Sequence, residues 1–143
     1  MKRAIIYLLL VIQLLSCNQS TKNLSTSSSD YLGHFEDDYG IEYRISPTQF
    51  IQEPRIIYNI LEWNSKEQYI ITQNAATNPS EPNLFTRIDY VALNNMEPFS
   101  WGFCYTTYNA ASASMAKATA AADKTNPKIG CGGYPFSRMK KMD

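Results

Sequence analysis

The chain has 143 residues, no formal net charge, 44% hydrophobic and 13% aromatic residues, and only 18% charged ones. That is material for one globular domain with a core, and a chain so rich in aromatics with so little excess charge lies outside the disordered class. Equal numbers of basic and acidic residues leave no whole-chain field for gripping nucleic acid.

Residues 1–17 read MKRAIIYLLLVIQLLSC, in which Lys2 and Arg3 lead into an apolar run from Ala4 to Leu15 broken only by Gln13. A membrane span needs about 20 apolar residues, so this shorter run reads as an export signal over residues 1–16. Its end, Leu14-Leu15-Ser16-Cys17, resembles the lipobox of bacterial lipoproteins. That resemblance implies cleavage before Cys17, diacylation of its sulfur with palmitate-type chains, and a lipid-anchored protein of the cell envelope. Each buried CH₂ contributes about 0.8 kcal/mol, so several chains hold where one would be marginal. The other reading is an ordinary secretion signal that happens to end in Cys. Asn18 and Gln19 follow, without the Asp that serves as an inner-membrane retention signal in some bacteria, and by analogy the expected address is the outer membrane or cell surface. Residues 18–30, NQSTKNLSTSSSD, hold one apolar side chain, Leu24, so 17–30 is expected to be a flexible tether and 31–143 a single β-rich domain.

Within that domain the period of two recurs. Over residues 40–46, Ile41, Tyr43 and Ile45 alternate with Glu42, Arg44 and Ser46, the pattern of a strand with one buried face. Residues 55–63 and 67–74 read as a hairpin about Asn64-Ser65-Lys66. In its first strand Ile56, Tyr58 and Ile60 share one face and Ile57, Leu61 and Trp63 the other. The segment AATNPSEPN is a loop. A strand over 84–93 then sets Ile88 and Tyr90 on one face and Arg87 and Asp89 on the opposite one. The strand 99–106 places Phe99, Trp101, Phe103 and Tyr105 on one side and Ser100, Gly102, Cys104 and Thr106 on the other, a small-residue face that lets the next element of the chain pack closely. Residues 110–122, AASASMAKATAAA, predict a helix capped by Asn109 and lying tightly on the sheet. A last strand comes in the 130–138 region, with Pro135 placing it at an edge or at a non-pairing position. The expected fold is mainly β: a small antiparallel meander barrel or strongly curved sheet of six to eight strands, with one Ala-rich helix before the last strand.

Three cysteines are present, and assigning Cys17 to lipid leaves Cys104 and Cys131 as a pair in an exported domain. A bridge between them stabilises the fold by roughly 3–4 kcal/mol in the chain-entropy account. The competing readings, a nucleophile or a metal ligand, would have to recruit His34, the only histidine.

From Gly33-His34-Phe35-Glu36-Asp37-Asp38-Tyr39-Gly40, through Thr86-Arg87-Ile88-Asp89-Tyr90, to the ending Gly130-Cys131-Gly132-Gly133-Tyr134-Pro135-Phe136, the chain resembles a set of small exported bacterial proteins without assigned activity. A looser likeness to lipocalin-type and avidin-type barrels rests on strand count and the Gly-x-aromatic opening, and concerns fold alone.

His34, Glu36, Asp37 and Asp38 are the one place where a histidine and three carboxylates crowd, yet the spacing fits neither a zinc set nor a calcium loop, and a solvated acidic turn before the first long strand is expected. Arg87 and Asp89 read as a binding pair or as a buried ion pair closing a barrel end, the second being favoured because an interior that buries opposite charges together avoids the cost of burying either alone. Residues 30–98 carry eleven acids and four bases, while 99–143 carry two acids and six bases. Arg138, Lys140 and Lys141 in that basic end read as a solvated terminus or a patch for anionic lipid. The aromatic set raises the prospect of a cavity for a small apolar ligand, with Tyr43, Trp63, Arg87, Asp89 and Trp101 as its candidate lining, against the plainer prospect of a self-filled core. No cofactor or metal is called for. The expected function is a membrane-anchored lipoprotein serving as a surface interaction or structural module, not an enzyme, since one histidine and no nucleophile motif leave little to build with. The alternative is lipocalin-like binding of a small apolar ligand inside the barrel; the partner, protein or ligand, is not legible.

Overall fold

The computed structural model describes residues 28–143. The export signal, Cys17 and most of the expected tether lie outside them. A 3₁₀ turn, Ser28–Tyr31, leads into eight strands: β1 Gly33–Asp37, β2 Glu42–Ile45, β3 Gln49–Gln52, β4 Ile56–Asn64, β5 Tyr69–Asn74, β6 Phe85–Ala92, β7 Phe99–Ala110 and β8 Ser137–Lys141. Each strand pairs antiparallel with its neighbours in sequence, and β8 returns to β1, so the meander closes into a barrel. Closure removes the exposed edges that a small open sheet would present to other chains.

Two of these strands depart from the sequence reading. Of the acidic stretch expected as a turn, Gly33–Asp37 is β1, because Phe35 and Asp37 point inward and are buried while His34 and Glu36 face out, and only Asp38 lies in the turn that follows. Gln49–Gln52, which carries no clear alternation, is recruited as β3 by Phe50, fully buried opposite Tyr58 and Ile45.

The pleat fills the barrel with rings. Phe35, Tyr43, Phe50, Tyr58, Tyr90, Trp101 and Phe103 form one cluster with Ile45, Ile70, Ile88 and Met139, and Tyr31 joins it from outside the strands. Adjacent rings meet mostly edge to face, Phe50 and Phe103 at 5.4 Å and Trp101 and Phe35 at 5.4 Å between centroids. Such pairs contribute about 0.5–1.5 kcal/mol each beyond the area they bury.

Two bulges overturn the expected faces. In β4, Ile60 pairs with Thr72 and Glu62 with Ile71, leaving Leu61 without a partner. The extra residue reverses the alternation, so Trp63 joins the interior side with Tyr58, and Leu61 is 54% exposed. In β7, a shift between Phe99 and Trp101 turns Phe99 outward, where the Arg138 guanidinium lies 4.7 Å from its ring centre.

The helix, α1, spans only Ala113–Ala118, with Ser112 as its cap accepting from the Met115 N–H. The predicted run of 110–122 is cut at both ends by tertiary bonds. Ala110 is drawn into β7 opposite Phe85. At the other end the Lys117 carbonyl accepts from Arg87 and the Ala122 N–H donates to Asp89, and the helix stops at Ala118 with Thr119 already extended. The helix lies on the outer wall, where Ala116, fully buried, packs with Tyr69 and Ile71. Residues 119–136 then run across the outside of β7 before β8 begins, so Pro135 precedes the last strand instead of lying in it.

Candidate binding surface

The acidic motif and the basic tail prove to be partners. Glu36 pairs with Lys140 at 2.7 Å and Asp38 with Arg138 at 2.9 Å, and the Asp38 carboxylate also accepts from the Arg138 N–H. His34 instead meets Glu42 at 2.9 Å. Asp37 is spent on the β1–β2 turn, accepting from the N–H groups of Tyr39 and Ile41 and from the Tyr43 hydroxyl. The four carboxyl and imidazole groups therefore face different partners, and among the described residues no group of three or more His, Cys, Asp and Glu is placed to hold a metal ion. Likewise Arg138 and Lys140 belong to β8 and to ion pairs; they do not form a free solvated terminus. Lys141 ends the same strand opposite Phe35.

Arg87 and Asp89 are a buried ion pair, but on the outer wall of the barrel and not in its interior. The structure corrects the location while keeping the structural role. Asp89 is fully buried and accepts from Arg87 Nε and Nη2, from Thr106 Oγ1, from the Ala122 N–H and from Lys124 Nζ at 2.7 Å. Burial alone would raise the Asp89 carboxyl, but hydrogen bonds from Arg87, Lys124, Thr106 and the Ala122 N–H outweigh it and hold the group below its ordinary range. The guanidinium also stacks 4.5 Å from the centre of the Tyr69 ring. One carboxylate thus ties together β6, β7, the end of α1 and the crossing segment.

Of the other candidate residues, Tyr43, Trp63 and Trp101 all lie on the interior side. Burial and the adjacent Asp37 push the Tyr43 hydroxyl up, in that order of weight. Trp63 donates from Nε1 to the Tyr90 hydroxyl at 2.9 Å. Trp101 is buried against Phe35, Tyr31 and Phe103. The five residues proposed as one lining are consequently divided by the barrel wall, three within and two without.

The broad recesses lie outside the wall, and the 119–136 segment builds two of them. One, of about 740 Å³, runs between Asp38, Tyr39, Leu93 and Met96 on one side and Thr125–Lys128 and Pro135–Phe136 on the other, with Arg138 in its floor. The second, of about 530 Å³, lies between β7 at Cys104–Thr106 and residues 119–123 and 129–133. The Cys104–Cys131 disulfide fastens the segment with a Cα–Cα distance of 5.6 Å. Small residues allow the approach: a Cβ on Gly102 would stand 3.1 Å from the Ser137 carbonyl, and one on Gly130 only 1.9 Å from that of Asp123. The small-residue face of β7 is therefore covered as its composition suggests, at Gly102 and Cys104 by this crossing segment, while α1 also lies against β7. Around the recesses Tyr39, Ile129 and Tyr134 are 71%, 58% and 74% exposed.

Neither a family model, a curated protein nor a solved structure matches the chain. Several residues that organise this surface carry no signal in the sequence. Lys124 and Thr106 look like ordinary polar positions until the fold brings them to Asp89. Asn74, with Nδ2 donating to the carbonyls of Glu81 and Tyr108 and Oδ1 accepting from Thr86, closes one barrel end from a residue that reads only as a strand terminus.

Proposed function

We propose that this protein is an exported lipoprotein, held to the envelope membrane through Cys17 and a short tether, whose barrel serves as a non-enzymatic module that binds another protein on its outer wall. On this reading it belongs with small exported bacterial proteins and faces out from the outer membrane or cell surface. The observation that supports it is the division of space: the barrel interior is taken up by the protein's own rings, and the broad grooves, one bordered by exposed Tyr39 and the other by exposed Ile129, lie on the outside. Balanced charge, and the pairing of Arg138 with Asp38 and of Lys140 with Glu36, support a protein over a nucleic acid as the partner.

The reading is tested in two steps. Cys17→Ala should abolish membrane association while leaving the barrel folded; a variant that still sediments with membranes as the processed protein sinks the anchor. A photo-crosslinking residue at Tyr39, on the rim of the larger groove, should capture a discrete partner on intact cells that the same residue at Leu61 does not. Equal capture at both positions, or none at Tyr39, sinks the binding surface.

A further inference from the structure

Just before β1, Tyr31 leaves the 3₁₀ turn and enters the barrel end, where it is only 4% exposed. Its ring lies 4.7 Å from Tyr90 and 5.2 Å from Trp101, and Trp63 stands behind Tyr90 at 5.9 Å. The seat is thus a set of aromatic rings belonging to β4, β6 and β7, while the residue that fills it comes from outside the eight strands. A short turn leads into that residue, with the Leu32 N–H donating to the Ser29 carbonyl at 3.2 Å and Leu32 packed on the core.

The fit is polar-deficient on both sides. Among the described residues, the buried side-chain polar atoms without a hydrogen-bond partner are the Tyr31 hydroxyl and the Trp101 Nε1, and they belong to the two rings in contact. An unmade buried hydrogen bond is costly, and here a donor that wants an acceptor lies under an occupant whose own hydroxyl is unsatisfied. The other polar group at this place, the Tyr90 hydroxyl, is engaged by Trp63. A self-contained core would gain by a phenylalanine at position 31. A site with an exchangeable occupant has a different requirement: rings to hold a planar molecule and one free N–H to orient it.

We propose that the barrel end beneath Tyr31 is a binding pocket for a neutral, single-ring aromatic molecule carrying a hydrogen-bond acceptor, and that Tyr31 is its resident plug. The ligand takes the place of the Tyr31 ring, its oxygen accepts from Trp101 Nε1, and the displaced residues 28–32 swing into solvent. This pocket accommodates one ring and leaves the rest of the interior filled. Because it is lined from the strands and gated from the turn, it does not depend on the Cys17 anchor or on the outer grooves. Neutral ligands are selected because the rings that line the seat, Trp63, Tyr90 and Trp101, offer aromatic faces and one N–H donor, and the nearby carboxylate, Asp30, belongs to the plug segment and leaves with it. The size is set by the plug: removing one ring opens a space of the order of the ~150 Å³ cavities that admit benzene.

The probe is p-cresol, the Tyr side chain as a free molecule, read by the fluorescence of Trp63 and Trp101, the two tryptophans of the chain. A ligand that must displace a closed plug binds more weakly by the fraction of time the plug is open. Tyr31→Ala should therefore tighten p-cresol binding roughly tenfold over the wild type. Tyr31→Phe, which relieves the unsatisfied hydroxyl and seats the plug more firmly, should weaken it several-fold. In the wild type, saturating p-cresol should speed amide exchange in residues 28–32 while the strands stay protected. Binding of equal affinity to all three proteins, or binding that leaves residues 28–32 protected, overturns the proposal. Absence of saturable binding to Tyr31→Ala also overturns it. Should that variant fail to fold, the order of wild type and Tyr31→Phe decides alone, and equal affinities refute the plug.

Discussion

Asp89→Asn is the sharpest perturbation of this structure, because it changes one charge and almost no volume. The carboxylate is fully buried and neutralises Arg87, whose side chain is 6% exposed, and Lys124, at 17%. Breaking a buried pair by removing one partner typically costs about 3–5 kcal/mol, since the charge left behind has lost both its counter-ion and its water. Lys124 can turn outward to solvent, but Arg87, stacked on Tyr69 and donating to the Lys117 carbonyl, cannot follow without releasing the end of α1. The full range is therefore expected. It is a large part of the 5–15 kcal/mol that holds a typical domain, and in a domain of this size it lowers Tm by on the order of 10–25 °C. The pH dependence has a definite sign. Asp89 binds its proton less readily folded than unfolded, so its contribution is complete above its unfolded value near 3.8 and disappears as pH falls through the lower folded value. Urea unfolding at pH 7 and pH 3 measures both effects: the wild type should lose stability between them, and Asp89→Asn should lose less. A variant within about 1 kcal/mol of the wild type at pH 7, with an unchanged acid slope, would refute the account of the network as the tie between barrel and crossing segment.

Reduction of the Cys104–Cys131 bridge, which spans 27 positions, should lower stability by roughly 3–4 kcal/mol, read as the shift in urea midpoint, with amide exchange rising first in residues 119–136. An unshifted midpoint counts against the bridge as the staple. Gly130→Ala forces a Cβ onto the Asp123 carbonyl and should cost about 1–3 kcal/mol by thermal melting, whereas Gly132→Asn, at a φ of +61° with open space around it, should cost well under ~1 kcal/mol. Leu61→Ser should be nearly neutral, and deletion of Leu61 should leave the protein folded with Trp63 still shielded from a fluorescence quencher, because removing the unpaired bulge residue lets Glu62 and Trp63 follow Ile60 in regular alternation with the indole inward; a quencher that reaches Trp63 in the deletion variant refutes this reading of the bulge.

How much of this is legible in the sequence depends on which physical force sets each feature. Alternation of Ile41, Tyr43 and Ile45 and of Trp101, Phe103 and Tyr105 marks buried faces directly, since a strand pleat converts sequence parity into side. The disulfide comes from cysteine parity and compartment. The bulges at Leu61 and near Ser100 are not written in that code: each inserts one residue opposite a partner strand, and only the partner reveals it. Phe99 and Trp63 change sides for that reason alone. The sequence overstates the helix because eight alanines speak only of intrinsic preference, and preference is small beside pairing of Ala110 with Phe85 and the pull of Asp89 on the Ala122 N–H. Of the candidate site, Arg87 and Asp89 are visible as a charged pair two apart, but the wall they lie on is not, because Lys124 and Thr106 reach them across 35 and 17 positions.

The uneven distribution of charge along the chain has its explanation in the seam. A meander barrel has one pair of strands that sequence proximity does not bring together, and closing it must overcome the entropy of a loop as long as the domain. Here that seam joins β1, which carries Glu36 and Asp37, to β8, which carries Arg138, Lys140 and Lys141. Opposite local charge draws the two ends together, and like charge opposes pairing of acidic β1 with β4, which carries Glu62. The exposed pairs contribute little stability singly, about 0–1 kcal/mol each, so their value is in register rather than in strength. Exchanging the signs in both partners, Glu36→Lys with Lys140→Glu, should leave equilibrium stability nearly unchanged, whereas Glu36→Lys alone sets two ammonium groups side by side at the seam and should slow folding. Stopped-flow refolding at low salt measures this, and a single reversal that folds as fast as the wild type would remove charge from the account of closure.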